Sequence, residues 1–173
     1  NQNIKRFLDT DVSHYLSTLY DGEELIISVG NNVLRQKISK RVSHIFGIAI
    51  HQSSIISESV KVGLGTVIMH GAIVQTHSVL GNHVIVNTAA SVDHDAIISD
   101  FVHISPNATL CGSVYVGEGT HIGAGAVVNP NIKIGKWCTI GSGSVIIKDV
   151  PDNVVVVGNP GKIIKYNTNI DEQ

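Results

Sequence analysis

Residues 87–103 read NTAASVDHDAIISDFVH, and within them His94 stands between Asp93 and Asp95. An imidazole titrates near neutrality, and an adjacent carboxylate orients it and favours proton uptake, so Asp-His-Asp suits a general base for acyl transfer. By composition alone a solvated polar corner fits equally well. His103 follows nine residues later, and His121 eighteen after that. Residues eighteen apart stack in the architecture derived below, but two stacked histidines without a clear carboxylate partner make a weak zinc signature, and no metal is expected. His51, His70, His77 and His83 form no eighteen-residue ladder and are expected at the surface or in subunit contacts.

The elements that would hold these groups follow from a period of six. From Ile50 to Ile146 every sixth residue is aliphatic, seventeen positions in succession. Six is the period of neither a helix nor a hairpin sheet, whereas a chain wound around a triangular prism presents one inward aliphatic per face. The residue four after each aliphatic is small or β-branched, as at Thr66, Ala72, Ala90, Ala96, Ala108, Thr120, Ala126 and Ser144, with only Ile132 and Cys138 larger. Alternation within a strand turns both positions inward, where a narrow core has room for one large group. Gly63, Gly81, Gly117, Gly123, Gly135 and Gly141 directly follow the aliphatic and are expected to bend the chain at corners. Three hexapeptides make a coil, and nearly six coils at about 4.8 Å give a prism on the order of 27 Å long.

Residues 1–45 have a different pattern. Ile4–Leu8 and Leu25–Val29 read as strands, and Val33–Val42 as a helix with Leu34, Ile38 and Val42 on one face. Between the second strand and the helix, Gly30-Asn31-Asn32 forms either an ordinary turn or a helix N-terminus with free amides for an anion such as a nucleotide phosphate. The division expected is 1–45, an incomplete α/β substrate-binding unit; 46–151, the prism; and 152–173, a capping segment, because an open prism end exposes core and strand edges. The chain opens on Asn1, and forty-five residues are too few for a whole nucleotide-binding domain, so an N-terminal strand is expected to be missing from the sequence.

The 173 residues are 43% apolar, enough for one continuous core and a small accessory unit. A net charge of −2 without a basic cluster gives no footprint for nucleic acid. No stretch of spanning length and no leader pattern points to membrane insertion, so a cytoplasmic location is the default. Cys111 and Cys138 lie one and a half coils apart, which disfavours a disulfide and suits a reducing compartment.

The hexapeptide pattern resembles the hexapeptide-repeat acyltransferases, and the resemblance implies a left-handed parallel β-helix that assembles as a homotrimer with active sites between subunits. The segment from Asn87 to His103 resembles that of sugar acetyltransferases acting on UDP-4-amino sugars or on sialic acids. It implies His94 as base, Asp95 raising its basicity, His103 beside the acetyl thioester and Asn87 as a polar neighbour. FLDT at Phe7–Thr10 and SVGNN at Ser28–Asn32 resemble the family's nucleotide-sugar segments, making Asp9, Thr10 and Gly30 candidate substrate contacts. The family's opening strand and its Gly-x-Gly-Gly-His turn are absent. Ala124, Ser142 and Gly143 match positions along the acetyl-CoA groove, and Gly112 one near the thioester. VVVVGNPGKII at Val154–Ile164 matches a terminal segment, with Lys162 able to reach a CoA phosphate.

Together these imply an acetyl-CoA-dependent N-acetyltransferase acting on a nucleotide-linked 4-amino-deoxy sugar in one ternary complex, with Gly112 and His103 steadying the oxyanion and no metal. Acetylation of a sugar hydroxyl, as with sialic acid, uses the same groups and is the alternative. A γ-type carbonic anhydrase needs two histidines five apart, which this chain lacks. A non-catalytic scaffold is the third reading, since fold alone carries no chemistry.

Overall fold

In the computed structural model, which describes residues 22–167, the six-residue period becomes two-residue strands. They stack into three parallel sheets, one per face of the prism. The first face holds β1 (Ala49–Ile50), β4 (Val67–Ile68), β7 (Ile85–Val86), β10 (His103–Ile104), β13 (His121–Ile122) and β16 (Thr139–Ile140). The second runs from β2 (Ile55–Ile56) through β8 (Ser91–Val92) and β11 (Thr109–Leu110) to β17 (Val145–Ile146). The third runs from β3 (Lys61–Val62) through β9 (Ile97–Ile98) to β15 (Lys133–Ile134). Register is eighteen residues throughout the stack, as in Ile50↔Ile68 and Ile104↔Ile122.

The inward aliphatics from Ile68 onward are buried, and Ile104, Leu110, Val116, Ile122, Val128, Ile134 and Ile140 are wholly so. The small inward residues are buried beside them, and where they are polar they bond between coils. Thr120 Oγ1 donates to the Gly135 carbonyl (2.7 Å) and accepts from the Cys138 amide (2.9 Å). Such a hydroxyl can be buried because its donor and one lone pair are both used. The first coil differs: Ile50 is 51% exposed and Ile56 and Val62 half-buried, because no further coil lies below them.

The glycines directly after the aliphatics act otherwise than expected. None of them has a positive φ. A Cβ on Gly117 would lie 2.6 Å from the Gly135 carbonyl carbon, so these glycines permit close stacking of coil on coil. The left-handed backbone falls three residues past the inward aliphatic, at Gly65, Gly119 and Gly125 but also at His83, Asp95, Phe101 and Trp137.

The last coil is shortened. β18 (Val154–Val157) joins the first face with Val155 opposite Thr139, sixteen residues on, and β19 (Lys162–Tyr166) folds back antiparallel on β18. At the other end, α1 spans Asn32–Arg41, one residue earlier at each end than expected, with Asn31 Oδ1 capping the Leu34 amide (2.9 Å). Ile27, Ile38 and Val42 bury together, with Leu25, Val29 and Leu34 against them. Leu25–Val29 is not a strand; it makes one parallel bridge, Leu25↔Phe46, and its inward alternation serves packing on α1 instead of a ladder. The strand expected at Ile4–Leu8 lies outside the described residues.

Candidate active site

Three groups of expected residues assemble in three places. The first is the turn between β8 and β9. Asp95 has the left-handed φ of 57° that an aspartate tolerates, and its amide is held by the Thr76 carbonyl (3.0 Å). That conformation turns its carboxylate back, and His94 Nδ1–H donates to Asp95 Oδ2 at 2.8 Å. Asp93 Oδ1 accepts from the His94 amide (2.8 Å). The Asp95 hydrogen bond, then the Asp93 charge, hold the His94 pKa above its ordinary value. With Nδ1 donating, Nε2 carries the free lone pair. One coil on, Gly112 faces this ring: a Cβ there would lie 2.6 Å from His94 Cε1 and Nε2. The Gly112 carbonyl accepts from Asn131, while its amide donates to no acceptor among the described residues. His77 approaches the same carboxylate, its Nδ1 3.7 Å from Asp95 Oδ1.

The second place is the first face. His103, in β10, is half-buried with both ring nitrogens engaged, Nδ1 3.2 Å from the Gly30 carbonyl oxygen and Nε2 3.1 Å from Asn87 Nδ2. A carbonyl only accepts and the Asn87 amide donates, so Nδ1 carries the proton. Burial lowers the His103 pKa to about 4. An oxyanion role for His103 needs a free N–H, and this arrangement commits that N–H to Gly30. His121 stacks on His103 with ring centroids 5.0 Å apart, its Nε2 2.7 Å from Ser105 Oγ. Gly30 presents a carbonyl to this corner, and Asn31 uses its side chain on the helix.

The third place is the corner beyond the first face, where Ala124 and Ser142 are exposed one coil apart and the Gly143 amide bonds the Ala124 carbonyl (2.9 Å). Lys162, at the start of β19, rims an open, mainly apolar cavity of about 420 Å³ between β17 and the terminal hairpin, with Ile146, Val150, Val156, Pro160 and Ile163 in its walls. His94 and His103 do not meet within one chain: one lies between the second and third faces, the other on the first. Asp9 and Thr10 lie outside the described residues. No group of three His, Cys, Asp or Glu is placed to hold a metal among the described residues, and no described helix is long and apolar enough to cross a membrane.

Two residues were not expected. Arg35 is fully buried on the apolar stripe of α1, which a cation at that helical position signals in retrospect. His83, expected at the surface, is 6% exposed, stacked on Phe101 (5.0 Å) and met edge-on by Phe46 (4.5 Å), with burial lowering its pKa. The Gly65–His83–Phe101–Gly119–Trp137 column, eighteen residues apart at each step, is the pattern that marks it. His51 and His70 also stack, with centroids 3.6 Å apart, although nineteen residues separate them.

The bacterial transferase hexapeptide (six repeats) family matches residues 95–130 and 114–148. Among solved structures, the chain is similar to the acetyltransferase domain of PglB from Neisseria gonorrhoeae FA1090, at 39% identity over 90% of this chain and 76% of that one, TM-score 0.84. That domain is also solved with acetyl coenzyme A. PerB from Caulobacter crescentus, in complex with CoA and GDP-perosamine, is 34% identical over 91% and 76% of the two chains, TM-score 0.82. WeeI from Acinetobacter baumannii AYE is 30% identical over 83% and 72%, TM-score 0.76. The comparison with curated proteins gives no match.

Proposed function

The chain belongs to the hexapeptide-repeat sugar acetyltransferases, with their left-handed parallel β-helix, and from that premise we propose that it carries the acetyl group of acetyl-CoA to the amino group of a nucleotide-linked 4-amino-deoxy sugar. The observation that carries this is the His94–Asp95 pair with Gly112 against its ring. His94 Nε2 accepts a proton from the attacking amine, the Asp95 carboxylate stabilises the imidazolium, and the free Gly112 amide donates to the thioester oxygen as charge develops. The C–N bond forms as the C–S bond breaks, and the CoA thiolate takes the proton held by the His94 imidazolium and leaves as the thiol. No acyl-enzyme is needed.

An amine acceptor is favoured over a hydroxyl because the relative from Caulobacter crescentus solved with CoA and GDP-perosamine is a perosamine N-acetyltransferase. Residues 1–45 serve the nucleotide sugar through Asp9, Thr10 and Gly30, and Asn87 lines the same region. Residues 46–151 carry the transfer and 152–173 close the prism. His103, Ala124, Ser142, Gly143 and Lys162 follow the acetyl-CoA arm from thioester to phosphate. Since His94 and His103 occupy different faces, a site using both requires two chains, and a homotrimer with sites between subunits supplies it. A cytoplasmic location is supported by the free thiols of Cys111 and Cys138, which suit a reducing compartment.

The test is thiol release from acetyl-CoA with UDP- and GDP-linked 4-amino-6-deoxy sugars, and with free and CMP-linked sialic acid, for wild type and His94→Ala. Turnover with an amino sugar that vanishes in the variant is expected. Turnover only with sialic acids would replace the amine by a hydroxyl, and no turnover together with no acetyl-CoA binding would leave a scaffold.

A further inference from the structure

The guanidinium of Arg35 has five N–H bonds, and each meets an acceptor. Nε donates to the His83 carbonyl (2.9 Å), Nη1 to those of Val29 (2.9 Å) and Gly30 (3.3 Å), and Nη2 to Asn32 Oδ1 (2.9 Å) and the Phe101 carbonyl (2.7 Å). None of these acceptors is a carboxylate. The charge is therefore compensated by dipoles alone, and burial lowers the Arg35 pKa to about 10. A buried cation held this way is costly compared with an apolar residue of similar size. Of these bonds, those to the His83 and Phe101 carbonyls tie α1 to the prism. Two of the remaining three N–H groups go to carbonyls of the segment entering α1, and one of those, Gly30, is the carbonyl His103 uses.

A carbonyl oxygen has two lone pairs, and Gly30 spends one on Arg35 and one on His103. We propose that Arg35 is a positioning residue for acetyl transfer: it fixes the Gly30 carbonyl so that His103 is locked as the Nδ1–H tautomer with Nε2 turned to Asn87. The proposal rests on the reading above, in which His103 lies beside the acetyl thioester. Burial first, and the Arg35 charge in addition, oppose protonation of both stacked imidazoles, so the ring that borders the thioester stays neutral with its plane fixed. An unlocked ring would add a second tautomer and a second orientation beside the reacting carbonyl, and loss of geometry at that scale costs rate more than affinity.

The experiment uses the full chain with ¹⁵N-labelled histidine, whose ring nitrogen shifts report the tautomer; His103→Gln assigns the signal. Wild-type His103 is expected as pure Nδ1–H between pH 6 and 8. Arg35→Lys keeps the charge but loses the planar fork, and is expected to give mixed tautomers, with kcat lower by about tenfold or more and the KM for acetyl-CoA within about twofold. Asn32→Ala loosens the same joint, removing one Arg35 contact and the bond to the Gly119 carbonyl, without touching Gly30. It is expected to lower the melting temperature while leaving the His103 signal intact. A wild-type His103 in the Nε2–H form overturns the proposal. So does an Arg35→Lys enzyme with unchanged signal and kcat, or an Asn32→Ala enzyme whose His103 signal shifts as much as that of Arg35→Lys. Wild-type turnover in His103→Gln would instead remove His103 from the reaction, and with it the underlying reading.

Discussion

His94 and His103 are nine residues apart, both lie outside the packed interior of the prism, and their surroundings make opposite use of the same side chain. His94 stands in an exposed turn, meets a carboxylate through Nδ1, and has its pKa raised by that bond. His103 lies half-buried in a strand, meets a carbonyl and an amide, and has its pKa lowered to about 4. The partner at Nδ1 decides the difference. A carboxylate stabilises the imidazolium, whereas a carbonyl selects a tautomer of the neutral ring and leaves burial to disfavour the charge. One is built to take a proton and the other to refuse one.

Replacing each in turn separates the two most sharply. His94→Ala removes the proposed base and should cut kcat by about 10²–10⁴-fold with the state of assembly unchanged. Steady-state kinetics beside a sedimentation profile checks this, and a comparable loss from His51→Ala would show that the base has been misassigned. Gly112→Ala attacks the same region through shape. A methyl group 2.6 Å from the His94 ring forces the imidazole aside, and the displacement should cost about 10²-fold in kcat with the KM for acetyl-CoA much less affected. Retained activity would mean that the ring has room to move, and that its seat against Gly112 does not matter.

Asp95→Asn is smaller and more diagnostic. The variant keeps an acceptor for His94 Nδ1–H but loses the charge and the charge-assisted bond that raise the His94 pKa. The base must be unprotonated, so kcat/KM rises with pH through the His94 pKa. In Asp95→Asn that rise should move to lower pH, with the plateau lower by about tenfold. A profile that stays in place would take Asp95 out of the mechanism.

How much of this was legible in the sequence differs between the same two regions. The prism and its register follow from seventeen aliphatics at a fixed period, because each inward position has one neighbour type and no competing solution. The His94–Asp95 contact is local, between adjacent residues, and so could be anticipated from the pair itself. The His103 environment is assembled from Gly30, Asn87, His121 and Arg35, contacts spanning up to 73 residues, and no local pattern announces them. The partial exposure of the first coil and the conversion of Leu25–Val29 from strand to packing segment have the same origin. Both depend on which neighbour lies alongside, and a periodic sequence is silent where its repeat begins. The left-handed positions three residues past the inward aliphatics are not evident from the repeat because histidine, phenylalanine and tryptophan occupy several of them, and only the eighteen-residue column shows that they share a role.

The last comparison concerns stability, where the two histidines should act in opposite directions. His103 has a folded pKa of about 4 against an ordinary value of 6.5, so the unfolded chain binds the proton more readily. Its contribution is therefore complete above pH 6.5 and is lost as pH falls towards 4. His83 and His121, also lowered mainly by burial, act in the same direction, and Arg35 opposes protonation of all three. His94 has a raised pKa and would favour the folded state at lower pH, but its side chain is 53% exposed and solvent screens most of that effect. Wild-type melting temperature should thus fall between pH 6.5 and 4. His103→Gln, which has no proton to refuse, should fall less steeply, by a few degrees at about 2–4 °C per kcal/mol for a chain of this size. His94→Ala should track the wild type. Parallel curves for wild type and His103→Gln would mean that His103 accepts its proton in place, and that the contrast between a proton acceptor and a fixed neutral ring does not hold.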